Sequence, residues 1–195
     1  MPNWCTTSYV VTGDKKEVCD LYDKMRFLEA CDKPLVENGF GHEWLGNLVH
    51  LLGGDWQQVY CRGEWTGLDK DCDNGALRFE TVSAWGDPKE VIRFLQGKYP
   101  SLEFYFQAEE PGMLYYATND ADGEYFPTRY YFAKPDECEP FEYCGNELDD
   151  FLSDVGNFLG KKIRTAEEAH SEITAYNQDK KWEECAEIKI YKLVG

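Results

Sequence analysis

The sequence has little positive charge. Its 195 residues include 20 Lys and Arg against 37 Asp and Glu, so the formal net charge is −17. Such an excess of negative charge argues against a protein that binds nucleic acid or an anionic membrane through a basic patch. We therefore expect no direct nucleic-acid binding and no membrane binding, and any partner should be basic or neutral.

Long hydrophobic runs and targeting patterns are also missing. No apolar stretch approaches the roughly 20 residues that a membrane-spanning helix needs, and nothing before "PNWC" resembles a signal peptide. These absences predict a cytoplasmic protein. The chain is nevertheless 43% hydrophobic and 15% aromatic, which is enough for a sizeable folded core.

The eight cysteines contain no C-x-x-C pair. Zinc sites usually include a closely spaced cysteine pair, and disulfides are rare in a reducing compartment. We therefore expect free, mostly buried thiols, with a composite metal site as the alternative. Cys5, which follows Trp4, has no partner at ligand spacing and is better explained as part of a buried strand.

Catalytic signatures are missing as well. The sequence has three histidines and no G-x-S-x-G, P-loop, H-E-x-x-H or G-x-G-x-x-G motif. An enzyme is therefore unsupported, and we expect no cofactor.

One segment has the spacing of a calcium-binding loop. In "DKDCDNGALRFE", three aspartates alternate and a glutamate stands where a bidentate ligand is expected: Asp69, Asp71, Asp73 and Glu80. The glycine is one place late, and the glutamate lies in a strand-like run. A polar turn between strands is therefore the preferred interpretation, and a calcium loop the weak alternative.

Several segments have clear strand or helix patterns. "NWCTTSYVVTG" alternates like a strand, and Asp14 then suits the N-cap of a helix. "ALRFETVSAW" is a second strand, followed by a helix with Asp87 at its N-cap and Pro88 at its first position. The aromatic-rich run up to Phe132 predicts an antiparallel meander of three strands.

This element order predicts an α+β fold. Residues 1–134 should form a ferredoxin-like split β-α-β sandwich, with a mostly antiparallel sheet, helices on one face and a Gly/Trp-rich insert at about 32–68. Residues 135–195 should form an acidic helical extension that ends in a strand and packs on the same domain.

Four short stretches carry a resemblance to a known family. "MPNWC", "TVSAWGDP" and "EPG" followed later by "NDADGEYF" resemble the YubB-type ferredoxin-like family of small proteins carried by phages and conjugative plasmids. The resemblance covers roughly residues 1–132 and implies a split β-α-β core and a mobile-element origin. It implies no activity and no catalytic residues. The long insert and the acidic tail depart from the family pattern.

The acidic tail leads to a first functional hypothesis. From residue 135 to 160 the chain has eight acidic residues and no Lys or Arg. Such a block could imitate a phosphate backbone, so we expect a non-catalytic interaction protein that binds a basic or nucleic-acid-handling host protein and counteracts host defence. The candidate contact residues are Asp149, Asp150, Asp154, Glu142, Tyr115 and Tyr125. A solvated acidic surface that only keeps the protein soluble is the plainer alternative.

The insert leads to a second hypothesis, a small-molecule or nucleotide-binding protein or an unrecognised enzyme. Its aromatic residues could line a pocket against the sheet. The candidate pocket residues are His42, Trp44, Trp65 and Trp85.

Overall fold

The computed structural model describes residues 2–71, 75–135 and 141–194. Within them the fold is a mixed α+β one with mostly antiparallel strands. The chain divides into two compact units, Met1–Tyr115 and Tyr116–Gly195. This division falls earlier than the boundary after residue 134 that we predicted, and each unit is described separately below.

The first unit contains three helices and four strands before the division. In chain order they are β1 Trp4–Thr12, α1 Lys15–Glu29, α2 Leu45–Leu51, β2 Gly63–Asp71, β3 Ala76–Ala84, α3 Lys89–Lys98 and β4 Glu103–Glu110, followed by a 3₁₀ helix at Pro111–Met113. In the described part of the chain, no helix has both the length and the apolar character needed to cross a membrane.

Helix α1 follows its sequence pattern closely. The Asp14 carboxylate accepts hydrogen bonds from the backbone N–H groups of Lys16 and Glu17, at 2.9 and 3.4 Å, and so caps the first turn. The buried side chains lie three or four residues apart on one stripe: Val18, Leu21, Met25 and Leu28. The predicted N-cap is confirmed.

Strand β1 lies at the centre of the first unit's sheet. It pairs antiparallel with β3 on one side and with β4 on the other, and β2 pairs antiparallel with β3. The strand order is therefore β2-β3-β1-β4. One face of β1 carries Tyr9 and Val11 into a hydrophobic core to which α1, α2 and α3 all contribute.

Strand β2 was not predicted from the sequence, which we interpreted as insert up to about residue 68. Residues 63–68 belong to this strand instead. The segment "GEWTGLDKD" contains two glycines and four charged residues, and its register shifts between Thr66 and Asp69. Both features hide the alternation that identifies a strand. Trp65 on β2 is only 1% exposed and belongs to the core.

The start of α3 also differs from the prediction. The N-cap position is Pro88, which makes no side-chain capping bond. Asp87 accepts a hydrogen bond from the Tyr115 hydroxyl at 2.5 Å, and Lys89 Nζ lies 3.6 Å from the same carboxylate oxygen. Asp87 is therefore engaged by these two side chains rather than by the first turn of the helix.

The second unit is built around a small antiparallel sheet. Its elements are β5 Tyr115–Thr118, which begins at the division, then β6 Tyr130–Lys134, β7 Phe141–Gly145, α4 Leu148–Leu159, α5 Ala166–Asn177, a 3₁₀ helix at Trp182–Glu184, β8 Glu187–Ile190 and β9 Lys192–Leu193. Strand β6 pairs antiparallel with both β7 and β8, and β5 pairs in parallel with β9.

These pairings correct the predicted three-stranded meander. The segment around Phe132 forms a strand as expected, but it lies between β7 and β8 in a separate sheet rather than beside β5. Phe132 packs there with Phe151 and Val155 of α4 and with Ile173 of α5 in a second hydrophobic core. Residues 135–195 thus contribute two helices, as predicted, but share their core with β6.

Two glycines provide a matched test of the backbone. Gly13 has φ +139°, and a Cβ there would lie 2.3 Å from the Ser101 carbonyl oxygen, whereas a Cβ at Gly97 in α3 meets nothing within 4 Å. Gly13→Ala should therefore destabilise the protein by about 1–3 kcal/mol or more. Gly97→Ala should stabilise it by about 0.5–1 kcal/mol. Urea unfolding measures both, and equal effects of the two changes would contradict the described turn.

Candidate functional site

A cleft of about 670 Å³ opens in the first unit between the insert and the beginning of α3. Most of its wall comes from the chain between α1 and β2, and Glu90 of α3 completes it. Its lining residues are Asn38, Gly39, Phe40, Trp44, Trp56, Gln57, Gln58, Val59, Tyr60, Cys61, Arg62 and Glu90. We call this site the insert cleft.

Four aromatic side chains form the walls of the insert cleft. Trp44 and Trp56 meet edge to face, with ring centroids 5.4 Å apart. Phe40 is held in a similar contact with Trp4, at 6.3 Å, and Tyr60 stands exposed at the edge. Aromatic rings in this arrangement offer flat apolar surface at little cost in side-chain entropy.

Two asparagines shape the loop that carries Phe40 and Trp44. The Asn38 side-chain oxygen accepts hydrogen bonds from the N–H groups of Phe40 and Gly41, at 2.7 and 2.9 Å. The fully buried Asn47 amide donates to the carbonyl oxygens of Gly41 and His42, at 2.9 and 3.0 Å. The loop is thus organised by hydrogen bonds from two asparagine side chains to its backbone.

The other side of the insert cleft is tied to α3 and to β3. Trp44 Nε1 donates a hydrogen bond of 2.7 Å to the Cys61 carbonyl, and the Tyr60 N–H donates one of 2.7 Å to Glu90 Oε2. The Ala84 N–H donates to the Arg62 carbonyl at 3.0 Å, which joins the cleft to the end of β3. The cleft walls are therefore fixed to the sheet.

The charged groups of the insert cleft are one cation and one anion. Arg62 is exposed, and its guanidinium forms no hydrogen bond or ion pair with the described residues. Glu90 is also exposed, and one of its carboxylate oxygens is held by the Tyr60 N–H. A guanidinium is suited to a planar carboxylate or a phosphate, and the carboxylate can accept from an N–H donor.

Cys61 is the titratable thiol of the insert cleft. Its burial, followed by the negative charge of Glu90, raises the pKa of the thiol to about 12. Near neutral pH the group is therefore a neutral thiol and not a thiolate nucleophile. The cleft can contact a ligand here but has no activated sulfur with which to attack it.

The predicted pocket residues have different positions. Trp44 lines the insert cleft, and His42 lies half-buried in the adjoining loop. Trp65 is a core residue whose Nε1 donates a hydrogen bond of 3.3 Å to Glu29 Oε1. Trp85 is 51% exposed, with φ 71°, in the turn before α3. The structure thus places one of the four in the cleft wall.

Several cleft residues were missed from the sequence. Trp56, Tyr60 and Arg62 belong to the insert, where the concentration of tryptophan and glycine was a signal of something unusual without indicating which side chains converge. Glu90 lies on α3, and nothing local to it indicates a neighbour thirty residues away in sequence. Only the folded chain brings it to Tyr60.

The predicted acidic contact residues lie in the second unit. Asp149, Asp150 and Asp154 are on α4, and Glu142 is exposed on β7. Burial, followed by the negative charge of Asp150, raises the pKa of Asp154. The two carboxylates are one helical turn apart and repel each other. The acidic residues at 136, 137 and 139 lie outside the described residues.

Asp149 has different surroundings from those of Asp150 and Asp154. It lines a second cleft, of about 770 Å³, together with Lys161, Lys162 and Arg164. The charge around it is therefore mixed. Of the three predicted aspartates, Asp150 and Asp154 form the uniformly acidic pair, which we call the α4 acidic pair.

The two predicted contact tyrosines are occupied in local structure. Tyr115 is half-buried, with its hydroxyl bonded to Asp87. The N–H of Tyr125 donates to the buried Asp120 carboxylate at 2.7 Å, within a loop that this carboxylate organises. Each tyrosine is therefore held by a nearby aspartate.

The predicted calcium ligands lie on two paired strands. Asp69 and Asp71 are on β2 and Glu80 is on β3, where Asp69 is opposite Arg78. Asp73 lies outside the described residues. Among the residues that the structure describes, no group of three or more His, Cys, Asp or Glu side chains could hold a metal ion.

Comparison of the chain with protein-family models, with curated proteins and with solved structures finds no match.

Thiol labelling tests the description of Cys61. At about pH 8, iodoacetamide should modify the exposed Cys144 and leave Cys61 unmodified, because alkylation requires an accessible thiolate. Both should react once the protein is unfolded in urea, which serves as the control. Mass spectrometry of the digested protein identifies each site. Labelling of Cys61 as fast as Cys144 in the folded protein would contradict its burial.

Proposed function

We propose that the protein is a non-enzymatic binding protein whose principal site is the insert cleft. The observation that carries this proposal is the convergence of four aromatic rings with the exposed Arg62 and Glu90 in one cleft of about 670 Å³. Apolar walls with a few placed polar groups are the usual composition of a small-molecule site.

The ligand class that these groups favour is a planar ring that carries an anionic group, such as a nucleotide. Tyr60 and Trp56 offer aromatic rings on which a base can stack or pack edge to face. The Arg62 guanidinium can pair with a phosphate through two parallel hydrogen bonds. The Glu90 oxygen that is not bonded to Tyr60 can accept from a ring or exocyclic N–H.

We also propose that the first unit is a ferredoxin-like domain of the YubB type, carried by a mobile element. The strand order β2-β3-β1-β4 supports this proposal. Helix α3 connects β3 to β4, and β1 lies between these two strands. Helices α1 and α2 connect β1 to β2, and β3 lies between those two strands. Two interlocked split β-α-β units have this arrangement. The insert that carries the cleft would then be an addition to the shared core.

Titration with nucleoside monophosphates, followed by tryptophan fluorescence and calorimetry, tests the insert cleft. We expect saturable binding of at least one of them. Tyr60→Ala and Arg62→Ala should each weaken it about ten-fold or more, because a base–aromatic stack contributes roughly 1–3 kcal/mol and a charge-assisted hydrogen bond a similar amount. Both residues are exposed, so the fold should tolerate the changes.

The matched control is Arg93→Ala, which removes an exposed arginine of α3 outside the cleft lining. It should leave the affinity unchanged. If no nucleotide gives a saturable signal, or if Arg93→Ala weakens binding as much as Arg62→Ala, the proposed site is wrong.

A second candidate function is supported by the α4 acidic pair. We propose that it forms part of a surface for a basic or nucleic-acid-handling host protein, through which a mobile element counteracts host defence. The raised pKa of Asp154, caused first by burial and then by the negative charge of Asp150, supports this, because a cationic partner would stabilise the charged carboxylate.

Asparagine substitutions separate this second function from simple solubility. Asp154→Asn should raise the unfolding midpoint at neutral pH. The pKa of Asp154 is raised on folding, so the folded protein loses stability as the pH rises through that pKa and the carboxyl becomes charged. Asparagine stays neutral and avoids this loss. The gain should disappear as the pH falls and Asp154 becomes protonated. Chemical unfolding at neutral and acidic pH measures it.

The Asp150→Asn/Asp154→Asn double variant should at the same time lose binding to immobilised oligolysine and to basic host proteins at low salt. A variant with Asp23→Asn and Asp122→Asn, two exposed aspartates elsewhere, has the same net charge and should keep that binding. Equal loss in both variants would indicate that only the total charge matters, and the acidic pair would then be a solubilising feature.

A further inference from the structure

The inner face of the first unit's sheet becomes polar toward the end where β1 begins. On the antiparallel pair of β1 and β3, Cys5 is opposite Ser83 and Thr7 is opposite Thr81. All four side chains are buried. A patch of thiol and hydroxyl groups therefore adjoins the apolar core at this end of the sheet.

Two hydroxyls in this region have no partner among the described residues. Tyr9 Oη and Thr81 Oγ1 are buried and make no hydrogen bond with the described residues. Tyr9 is 1% exposed and Thr81 is 0% exposed. Nearly all buried polar groups in native proteins are hydrogen-bonded, because an unpaired group loses its hydration without compensation. A shared partner outside the protein chain would satisfy both hydroxyls.

Thr7 connects the two hydroxyls in space. It is directly opposite Thr81 and two residues before Tyr9 on the same face of β1. The Thr7 hydroxyl is a weak hydrogen-bonding neighbour of the Tyr9 phenol that slightly opposes the rise in its pKa caused by burial, but the two oxygens do not meet the geometry of a full hydrogen bond. It also lies 3.6 Å from Cys5 Sγ. The register thus places three hydroxyl-bearing residues side by side on one face of the sheet.

The chemistry of the region favours a neutral and very small ligand. Burial, followed by the negative charge of Asp87, raises the pKa of Tyr9, and burial also raises the pKa of Cys5, so both remain neutral. The Asp87 carboxylate already accepts from Tyr115 and lies close to Lys89. A neutral molecule with two or more hydrogen-bonding positions fits, and an ion would lack a charged partner of its own.

We propose that Tyr9 Oη and Thr81 Oγ1 together bind one buried water molecule, with the Thr7 hydroxyl as a third neighbour. A buried water typically makes about three hydrogen bonds to groups that have no other partner. This water is a fixed part of the core. It holds the phenol of Tyr9, whose ring stacks on Phe79 at a centroid distance of 5.0 Å. The site is independent of the insert cleft and of the proposed function.

Removal of the hydroxyls reveals whether they have a partner. If they bind a shared water, Tyr9→Phe and Thr81→Val each remove one of its hydrogen bonds, and each should lower the urea midpoint. The double variant leaves no polar pair for the water, so its loss should be smaller than the sum of the two single losses. Thr66→Val makes the same change at an exposed position of β2 and corrects for the strand preference of valine.

Hydroxyls without a partner would give the opposite result. Each substitution would then remove an uncompensated group, the midpoint would rise or stay unchanged relative to the Thr66→Val control, and the effects would add. That outcome overturns the proposal.

A high-resolution crystal structure of the unaltered protein tests the same point without any variant. It should show a single density peak within hydrogen-bonding distance of both Tyr9 Oη and Thr81 Oγ1. The assignment to water fails if this region is empty, or if the density is that of a larger molecule.

Discussion

The pairing of β1 with both β3 and β4 is the constraint on which the first unit depends. Tyr9 is opposite Phe79 on one side and Phe106 on the other, and its ring contacts both. Because side chains alternate along a strand, a shift of one residue would turn Tyr9 and Val11 away from the core. The register of β1 therefore fixes the ends of β3 and β4, and with them the positions of α3 and the insert.

The elements that the sequence predicted well are those with complete local signals. Strand β1 has an uninterrupted alternation, and α1 has a capping aspartate and an apolar stripe, so neither needs information from elsewhere in the chain. Strand β2 has no such signal, because it is interrupted by glycine and by the shift after Thr66. Its strand character comes from β3, which supplies its hydrogen bonds.

The partners of a strand are harder to predict than the strand itself. The segment around Phe132 was predicted as a strand, but its neighbours β7 and β8 come from later in the chain, and β8 is separated from it by two helices. A meander is the simplest connection, yet burial of Phe132 against Phe151 and Ile173 favours the pairing with β7 and β8.

The candidate site is subject to the same limit on prediction from the sequence. The sequence alone does not distinguish the three tryptophans that we predicted to line a pocket. In the folded chain, Trp44 lines the cleft, Trp65 lies in the core and Trp85 is exposed in a turn.

The wall of the insert cleft lies almost entirely in one connection of the chain, so its sequence can vary separately from that of the sheet. Nearly all of that wall, from Asn38 to Arg62, belongs to the stretch between α1 and β2, while the register of the sheet is set by other residues. Substitutions and length changes in this stretch can alter the shape and chemistry of the cleft without disturbing the strand pairing. The scaffold and the cleft wall are thus free to diverge at different rates, and a new cleft would require no new fold.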